Sequence, residues 1–250
     1  MSLNNIRIVM IATSHPGNIG SAARAMLTMG ITDLYLVNPK SFPDQQASTM
    51  ASGADQVLEN ATVVGSLAEA IADCHLVIGT SARSQRTVQW SHLDSTECGE
   101  RVAMHCRQGK VALVFGRESS GMTNEELESC HHLTSIPVNP EFKSLNIAAA
   151  VQVLCYACSI AFKSTDATLV SFDKETALAS TEELAGFYQH LEETLIATRY
   201  LNPKEPRLLM RKLRGLFGRV QLQKVEVGML RGFFSSAQGS KFISREQKNK

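Results

Sequence analysis

Short apolar runs alternate with helical segments along the first 163 residues, and three of the runs end in loops rich in glycine, asparagine and serine. A strand followed by a helix, repeated, builds βα units on a parallel sheet, so the expected fold class is α/β. The patterning predicts strands at 6–12, 34–37, 76–80, 111–115 and 133–137, with a further one at 57 or at 62–64. Helices are predicted between them at 19–29, 45–51, 67–73, 96–107 and 124–131, the last opened by a capping box of Thr123 and Glu126. The three loops are His15-Pro16-Gly17-Asn18-Ile19-Gly20-Ser21-Ala22-Ala23-Arg24, Phe115-Gly116-Arg117-Glu118-Ser119-Ser120-Gly121 and Asn139-Pro140-Glu141-Phe142-Lys143-Ser144-Leu145-Asn146. In an open α/β sheet ligands bind beyond the carboxyl ends of the strands, which lets all three loops converge on one site.

After the third loop, residues 145–163 form a helical pattern rich in alanine and short of charge, as expected of a helix buried on most sides, against the sheet or against another subunit. No apolar run is read as approaching the roughly 18 residues of a membrane span. The start, Met1-Ser2-Leu3-Asn4-Asn5, lacks the charged and then apolar pattern of a signal peptide, so a cytoplasmic location is expected. Six cysteines, at 74, 98, 106, 130, 155 and 158, fall mostly inside predicted elements and read as reduced core residues. Cys155-x-x-Cys158 has no second pair, so core packing is preferred and no metal is expected.

The pattern breaks into small and polar residues at 164–179, read as a linker between a first domain at 1–163 and a helical unit at 180–250. Ser180 with Glu183 caps a helix to about Thr198, and further helices are predicted at 208–217 and 225–238, with 241–250 as a disordered tail. Charge divides in the same way. Residues 1–198 hold 12 Lys and Arg against 21 Asp and Glu, a balance of −9, whereas residues 199–250 hold 13 against 3, a balance of +10. Such a segment suits a polyanion, because each basic side chain near a phosphate releases condensed counterions. Arg207, Arg211 and Arg214 stand at i, i+4 and i+7, with Leu208, Leu209, Leu213 and Leu216 able to face inward. That stripe fits phosphate tracking; it also fits an ordinary amphipathic helix whose polar side is basic.

The loops exclude the commoner nucleotide sites. The first has only Gly17 and Gly20, and the strand that follows ends in Asn38-Pro39 with no carboxylate for a ribose, which argues against a dinucleotide fold. The second lacks the Lys-Ser or Lys-Thr of a triphosphate loop. What remains is Asn18-x-Gly20-x-x-x-Arg24, whose arginine either braces a buried ion pair or presents its fork of donors to a phosphate or developing oxyanion. Glu118 either pairs with arginines or is a solvated carboxylate of an ordinary turn. Ser144 can cap the long helix or hold a ligand group, capping being the safer assignment. Thr80-Ser81-Ala82-Arg83-Ser84 leaves another strand end with small residues and an arginine.

Asn18-x-Gly20-x-x-x-Arg24, Phe115-Gly116-x-Glu118-x-x-Gly121 and Ser144-Leu145-Asn146-x-x-x-Ala150 resemble, in order and spacing, the three signature motifs of the SpoU (TrmH) branch of the SPOUT ribose 2′-O-methyltransferases. The resemblance spans residues 5–163. Thr80-Ser81-Ala82-Arg83 and the basic helical extension bring it nearest to members that methylate the ribose of cytidine or uridine at position 32 of a tRNA anticodon loop. It implies an S-adenosylmethionine-dependent enzyme whose parallel sheet ends in a trefoil knot, a rare exception to the rule against threaded loops. It further implies a homodimer with the site at the subunit interface and tRNA as partner. By that resemblance Thr80, Ser81, Ala82, Gly116, Ile136, Ser144, Leu145 and Asn146 cradle the cofactor, and Asn18, Arg83, Arg207, Arg211 and Arg214 meet RNA. Arg24 is then the catalytic arginine, supplied across the dimer, with Glu118, Ser144 and Asn146 organising the site. A guanidinium stays charged at ordinary pH, so Arg24 is expected to stabilise an alkoxide and grip a phosphate, with the base unassigned. The alternatives are methylation at another RNA position, ring methylation by another SPOUT branch, and a nonenzymatic RNA-binding protein.

Overall fold

The computed structural model describes residues 3–81, 91–142, 144–164, 177–204 and 208–239. The chain divides into two compact units, Met1–Ser171 and Phe172–Lys250. The first is built on seven strands: β1 Ile6–Ile11, β2 Asp33–Val37, β3 Thr62–Val64, β4 Cys74–Thr80, β5 Ser91–Leu93, β6 Lys110–Phe115 and β7 His132–Thr134. They form one sheet in the order β3-β2-β1-β6-β4-β7-β5, and every pairing is parallel. Its helices are α1 Pro16–Thr28, α2 Gln45–Ala51, α3 Asp55–Glu59, α4 Leu67–Ile71, α5 Ser95–His105, α6 Asn124–Glu128 and α7 Ile147–Ser164.

Alternate residues of each strand face opposite layers, which is why the strands read as unbroken apolar runs. Ile6, Ile8, Met10, Leu34, Leu36, Leu76, Ile78, Val111, Leu113 and Phe115 share a core with residues of α1, α2, α3, α5 and α7. Val9, Ile11, Val37, Val77, Ala112 and Val114 share the other with residues of α4 and α6. Arg7 is buried on that second side at 1% exposure. Its guanidinium donates to Asp73 at 2.6 Å and to Asp33 at 3.0 Å and lies 3.8 Å above the Tyr35 ring. This buried ion pair, at the amino end of β1, belongs to the scaffold.

The structure corrects several expectations. Val57 lies in α3, a helix the patterning missed, and the strand is β3. β5 was missed as well, because three residues with one buried side chain carry no period. β7 ends at Thr134; Ser135 donates its N–H to Leu93, and Pro137 has none to give. The first loop is shorter than predicted, since α1 begins at Pro16, where a missing N–H costs nothing. α7 is 18 residues long and, by length and composition, apolar enough to cross a membrane, contrary to the expectation that no run approaches that length. Its Ile147, Val151, Leu154, Cys155 and Cys158 are instead packed in the first core, and it runs against α5 and α1. All six cysteines are buried free thiols. Burial pushes Cys155 up to about 12.

The second unit holds α8 Thr181–Ala197, α9 Leu209–Val220 and α10 Lys224–Ala237 around Phe187, Tyr188, Leu191, Val227 and Phe234. Ser180 and Glu183 make the expected capping box. The expected linker at 164–179 falls mostly on residues 165–176, and the tail at 241–250 wholly, outside the described residues.

Candidate functional site

β1, β6, β4 and β7 are successive neighbours in the sheet, so the loops leaving their carboxyl ends share one edge. Ala12 ends β1 with φ at 46°, a left-handed conformation costing a non-glycine residue about 1 kcal/mol, and turns the chain into Thr13-Ser14-His15. At the end of β6, Gly116 begins a closed turn in which Arg117 and Gly121 exchange backbone hydrogen bonds of 3.1 and 2.9 Å. A Cβ at Gly116 would fall on the backbone of Gly121 and Met122, and Gly121 itself sits at φ 71°, so both positions require glycine.

The turn presents Glu118 to the first loop. Ser14 donates to it from its backbone N–H at 3.1 Å and from its hydroxyl at 3.1 Å, and Asn18 Nδ2 donates at 3.1 Å. Asn18 Oδ1 in turn accepts from Asn146 Nδ2 at 3.0 Å, while Asn146 Oδ1 caps α7 by accepting from the N–H groups of Ala148 at 2.9 Å and Ala149 at 3.3 Å. One chain of hydrogen bonds thus joins all three motif loops across sequence separations of 100 and 128 residues. Partial burial pushes the Glu118 carboxyl up, but hydrogen bonds from its own N–H, Asn18 and Ser14 outweigh that and hold it below the usual carboxylate range. Among the described residues no arginine pairs with Glu118, whose carboxylate is instead held by Ser14 and Asn18.

Arg24 is exposed on α1, and among the described residues nothing pairs with its guanidinium, so the buried-brace alternative is overturned. Asn146, rather than Ser144, caps α7; Ser144 is exposed two residues upstream, its hydroxyl without a hydrogen bond among the described residues. The Thr80 hydroxyl donates to Val114 O at 3.1 Å and Ser81 N–H to Thr134 O at 2.9 Å, so both lace β4 to its neighbours. Ile136 is half-buried against the first core, and Leu145 is exposed at the entrance to α7. Ala82 and Arg83 lie outside the described residues. Gly20 serves packing, since a Cβ there would fall on Ala47 O of α2. Sequence reasoning missed Ser14, one residue ahead of the quoted loop; an oxygen-bearing residue just past a strand end was its only signal.

This edge suits an adenosyl ligand in its donor chemistry. Ile136 and Leu145 offer apolar surface to a flat ring, and among the described residues no group bonds to the backbone from Ile136 to Val138. Among those residues there is no group of three or more His, Cys, Asp or Glu that could hold a metal.

In the helical unit Met210, Leu213 and Phe217 pack inward, whereas Leu208 and Leu216 are 49% and 46% exposed, contrary to their expected inward face. Arg207 lies outside the described residues. Arg214 stacks 4.5 Å above the Tyr188 ring and its carbonyl accepts from the Tyr188 hydroxyl, so this arginine is partly structural. Arg211 is half-buried, and Lys212 and Arg219 are the exposed cations of α9.

Residues 5–156 match the model of the SpoU rRNA methylase family, and residues 182–249 match that of the C-terminal domain of tRNA methyltransferase TrmJ. The chain is 49% identical over 236 residues to tRNA (cytidine/uridine-2′-O-)-methyltransferase TrmJ of Pectobacterium atrosepticum, covering 94% of this chain and 98% of that one. The crystal structure of TrmJ from Zymomonas mobilis, 34% identical, superposes with a TM-score of 0.76 over 92% of this chain and 97% of that one. The SpoU methyltransferase AviRb of Streptomyces viridochromogenes, solved in complex with the cofactor AdoMet, gives a TM-score of 0.51 at 21% identity over 63% of this chain and 60% of that one, a likeness of fold alone.

Proposed function

Because the chain belongs to the SpoU methylase family and methylates ribose 2′-hydroxyls of tRNA, we propose that its target is cytidine or uridine 32 of the anticodon loop and its methyl donor S-adenosylmethionine. The observation that carries the reading of the site is the hydrogen-bond chain Ser14–Glu118–Asn18–Asn146, which ties the three motif loops into one edge. When bound, the cofactor supplies an electrophilic methyl group on a positive sulfur. Thr80, Ser81, Gly116, Ile136, Ser144 and Leu145 hold it, with Ala82 completing the cradle, and we infer that this part of the chain is threaded as a trefoil knot.

Methyl transfer to an oxygen is governed by alignment and by stabilisation of developing negative charge. Arg24 supplies the second, because its guanidinium is exposed and free of partners among the described residues. It grips the phosphate beside the target ribose and steadies the negative charge that develops on the 2′-oxygen. Glu118 accepts from three donor groups of Ser14 and Asn18 and is held ionised, which makes it an anchor for the first loop rather than the proton acceptor. Val153, Tyr156 and Ile160 form an exposed apolar stripe at i, i+3 and i+7 on α7, Tyr156 at 56% exposure, which supports a second copy docking there and Arg24 reaching the partner's site. The helical unit carries tRNA on its basic surface, Arg207 included, Arg83 of the first unit is a further RNA contact, and a tRNA substrate supports a cytoplasmic location.

The test is tRNA from cells with and without the protein, digested and analysed by mass spectrometry. Loss of the ribose methyl at position 32 alone is expected. A ribose methyl lost elsewhere, or a ring methyl, overturns the assignment.

A further inference from the structure

We propose that Arg117 and Glu126 act as a positioning clamp for Glu118, fixing the turn that aims its carboxylate at Ser14 and Asn18. The inference rests on the reading of Glu118 as part of the methyl-transfer site. Two observations carry it. Arg117 Nη1 donates to Glu126 Oε2 at 2.9 Å and Nη2 to Oε1 at 3.0 Å, a two-pronged pair with little freedom to rotate, and Glu126 is only 16% exposed. Arg117 also bonds backbone to backbone with Gly121 at both ends of the closed turn, so the residue that grips Glu126 immediately precedes Glu118 and shares its turn.

The far end of the clamp is equally fixed. Glu126 accepts the Thr123 N–H at 2.7 Å while the Thr123 hydroxyl accepts the Glu126 N–H at 3.2 Å, the reciprocal box that starts α6. Leu127, the next residue, is fully buried in the second core. Rigid packing of α6 is thus transmitted through Glu126 and Arg117 to a turn that is closed by its own backbone bonds and has Ser119 and Ser120 exposed. The requirement is geometric: Glu118 must meet donors on a different loop at about 3.1 Å.

The experiment uses the full-length enzyme with tRNA and cofactor. Arg117→Met is expected to lower kcat by about 10- to 100-fold, the effect of a small misplacement at a reacting site, with KM for tRNA within about twofold of wild type. Arg117→Lys, which keeps the charge but not the fork, recovers part of that loss. In a Glu118→Gln background Arg117→Met is expected to add nothing, because the clamp acts only through Glu118. Carbon NMR of labelled glutamate, with the Glu118 signal identified by its loss in Glu118→Gln, is expected to show that carboxyl titrating higher in Arg117→Met. Thr123→Ala, which strips the cap hydroxyl but leaves the clamp, retains kcat. Losses that multiply in the double variant, an unmoved Glu118 titration, or a kcat loss in Thr123→Ala as deep as that of Arg117→Met each overturn the proposal. If the wild type methylates no tRNA while the Glu118 signal still moves, the clamp stands and the functional reading falls.

Discussion

Single side chains divide the site into groups that hold and a group that waits. Asn18 holds with both ends of its amide, donating to Glu118 and accepting from Asn146, which fixes its orientation at the edge where the three motif loops meet. Asn18→Asp replaces the donor facing Glu118 with a second carboxylate; like charges in contact raise one another's pKa, so the Glu118 titration should move upward and kcat fall at least about tenfold, read by NMR titration and turnover. Arg24 waits. Arg24→Ala should abolish turnover while leaving cofactor affinity unchanged by calorimetry, since among the described residues nothing pairs with its guanidinium; loss of cofactor binding would reject that division of labour. Histidines buried beside β4 and β7 set an acid limit. Val77 N–H donates to His131 Nδ1 at 3.0 Å, and desolvation by burial first, with the nearby His105 and His75, lowers His131 from 6.5 to about 4. A depressed histidine lets the unfolded chain take up protons first, so stability present above about 6.5 is lost as pH falls toward 4. At roughly 1.4 kcal/mol per pKa unit, His131 accounts for on the order of 3 kcal/mol, and denaturant titrations across that window should show it.

Glycine shows at the level of elements how one substitution can carry opposite signs. On α1, Gly20→Ala drives a methyl into Ala47 O of α2, where backbone cannot yield, and should destabilise the first unit by about 1–3 kcal/mol. On α9, Gly215→Ala meets nothing within 4 Å and should stabilise the helical unit by about 0.5–1 kcal/mol through helix propensity. Thermal unfolding of both variants checks the pair, and a stable Gly20→Ala would mean that α1 and α2 can separate without cost. The contrast marks what a sequence reveals and what it hides. Capping boxes at Thr123–Glu126 and Ser180–Glu183 are legible because their partners lie three residues apart. β5 and α3 are not, being too short to show a period, and the cap of α7, expected at Ser144, falls on Asn146 because both residue types cap well and only the turn geometry decides. The motif residues Asn18, Glu118 and Asn146 could be picked out one by one, but that an amide of one loop bonds a carboxylate of another follows only from the sheet order β1-β6-β4-β7.

For the whole molecule, charge and symmetry make separate demands. The balance of +10 over residues 199–250 predicts tRNA affinity that weakens steeply with salt, and replacing Lys212 and Arg219 by alanine should reduce the slope of log affinity against log salt by roughly 1–2 without altering which nucleotide is methylated. Symmetry concerns the catalytic edge itself. The proposed dimer would bury the α7 stripe of Val153, Tyr156 and Ile160, so Tyr156→Glu with Ile160→Glu should leave a folded monomer by sedimentation and circular dichroism. Whether the partner contributes chemistry is decided by mixing. In a two-fold dimer whose sites each take Arg24 from one chain and Glu118 from the other, an Arg24→Ala subunit paired with a Glu118→Gln subunit contains one intact site and one doubly damaged site. Random mixing of the two impaired variants makes about half the dimers mixed, so about a quarter of wild-type activity should return above what either variant retains alone. If each chain uses its own Arg24, every site in every dimer is broken and nothing returns, in which case the apolar stripe serves assembly alone and Arg24 reaches the ribose from its own side of the seam.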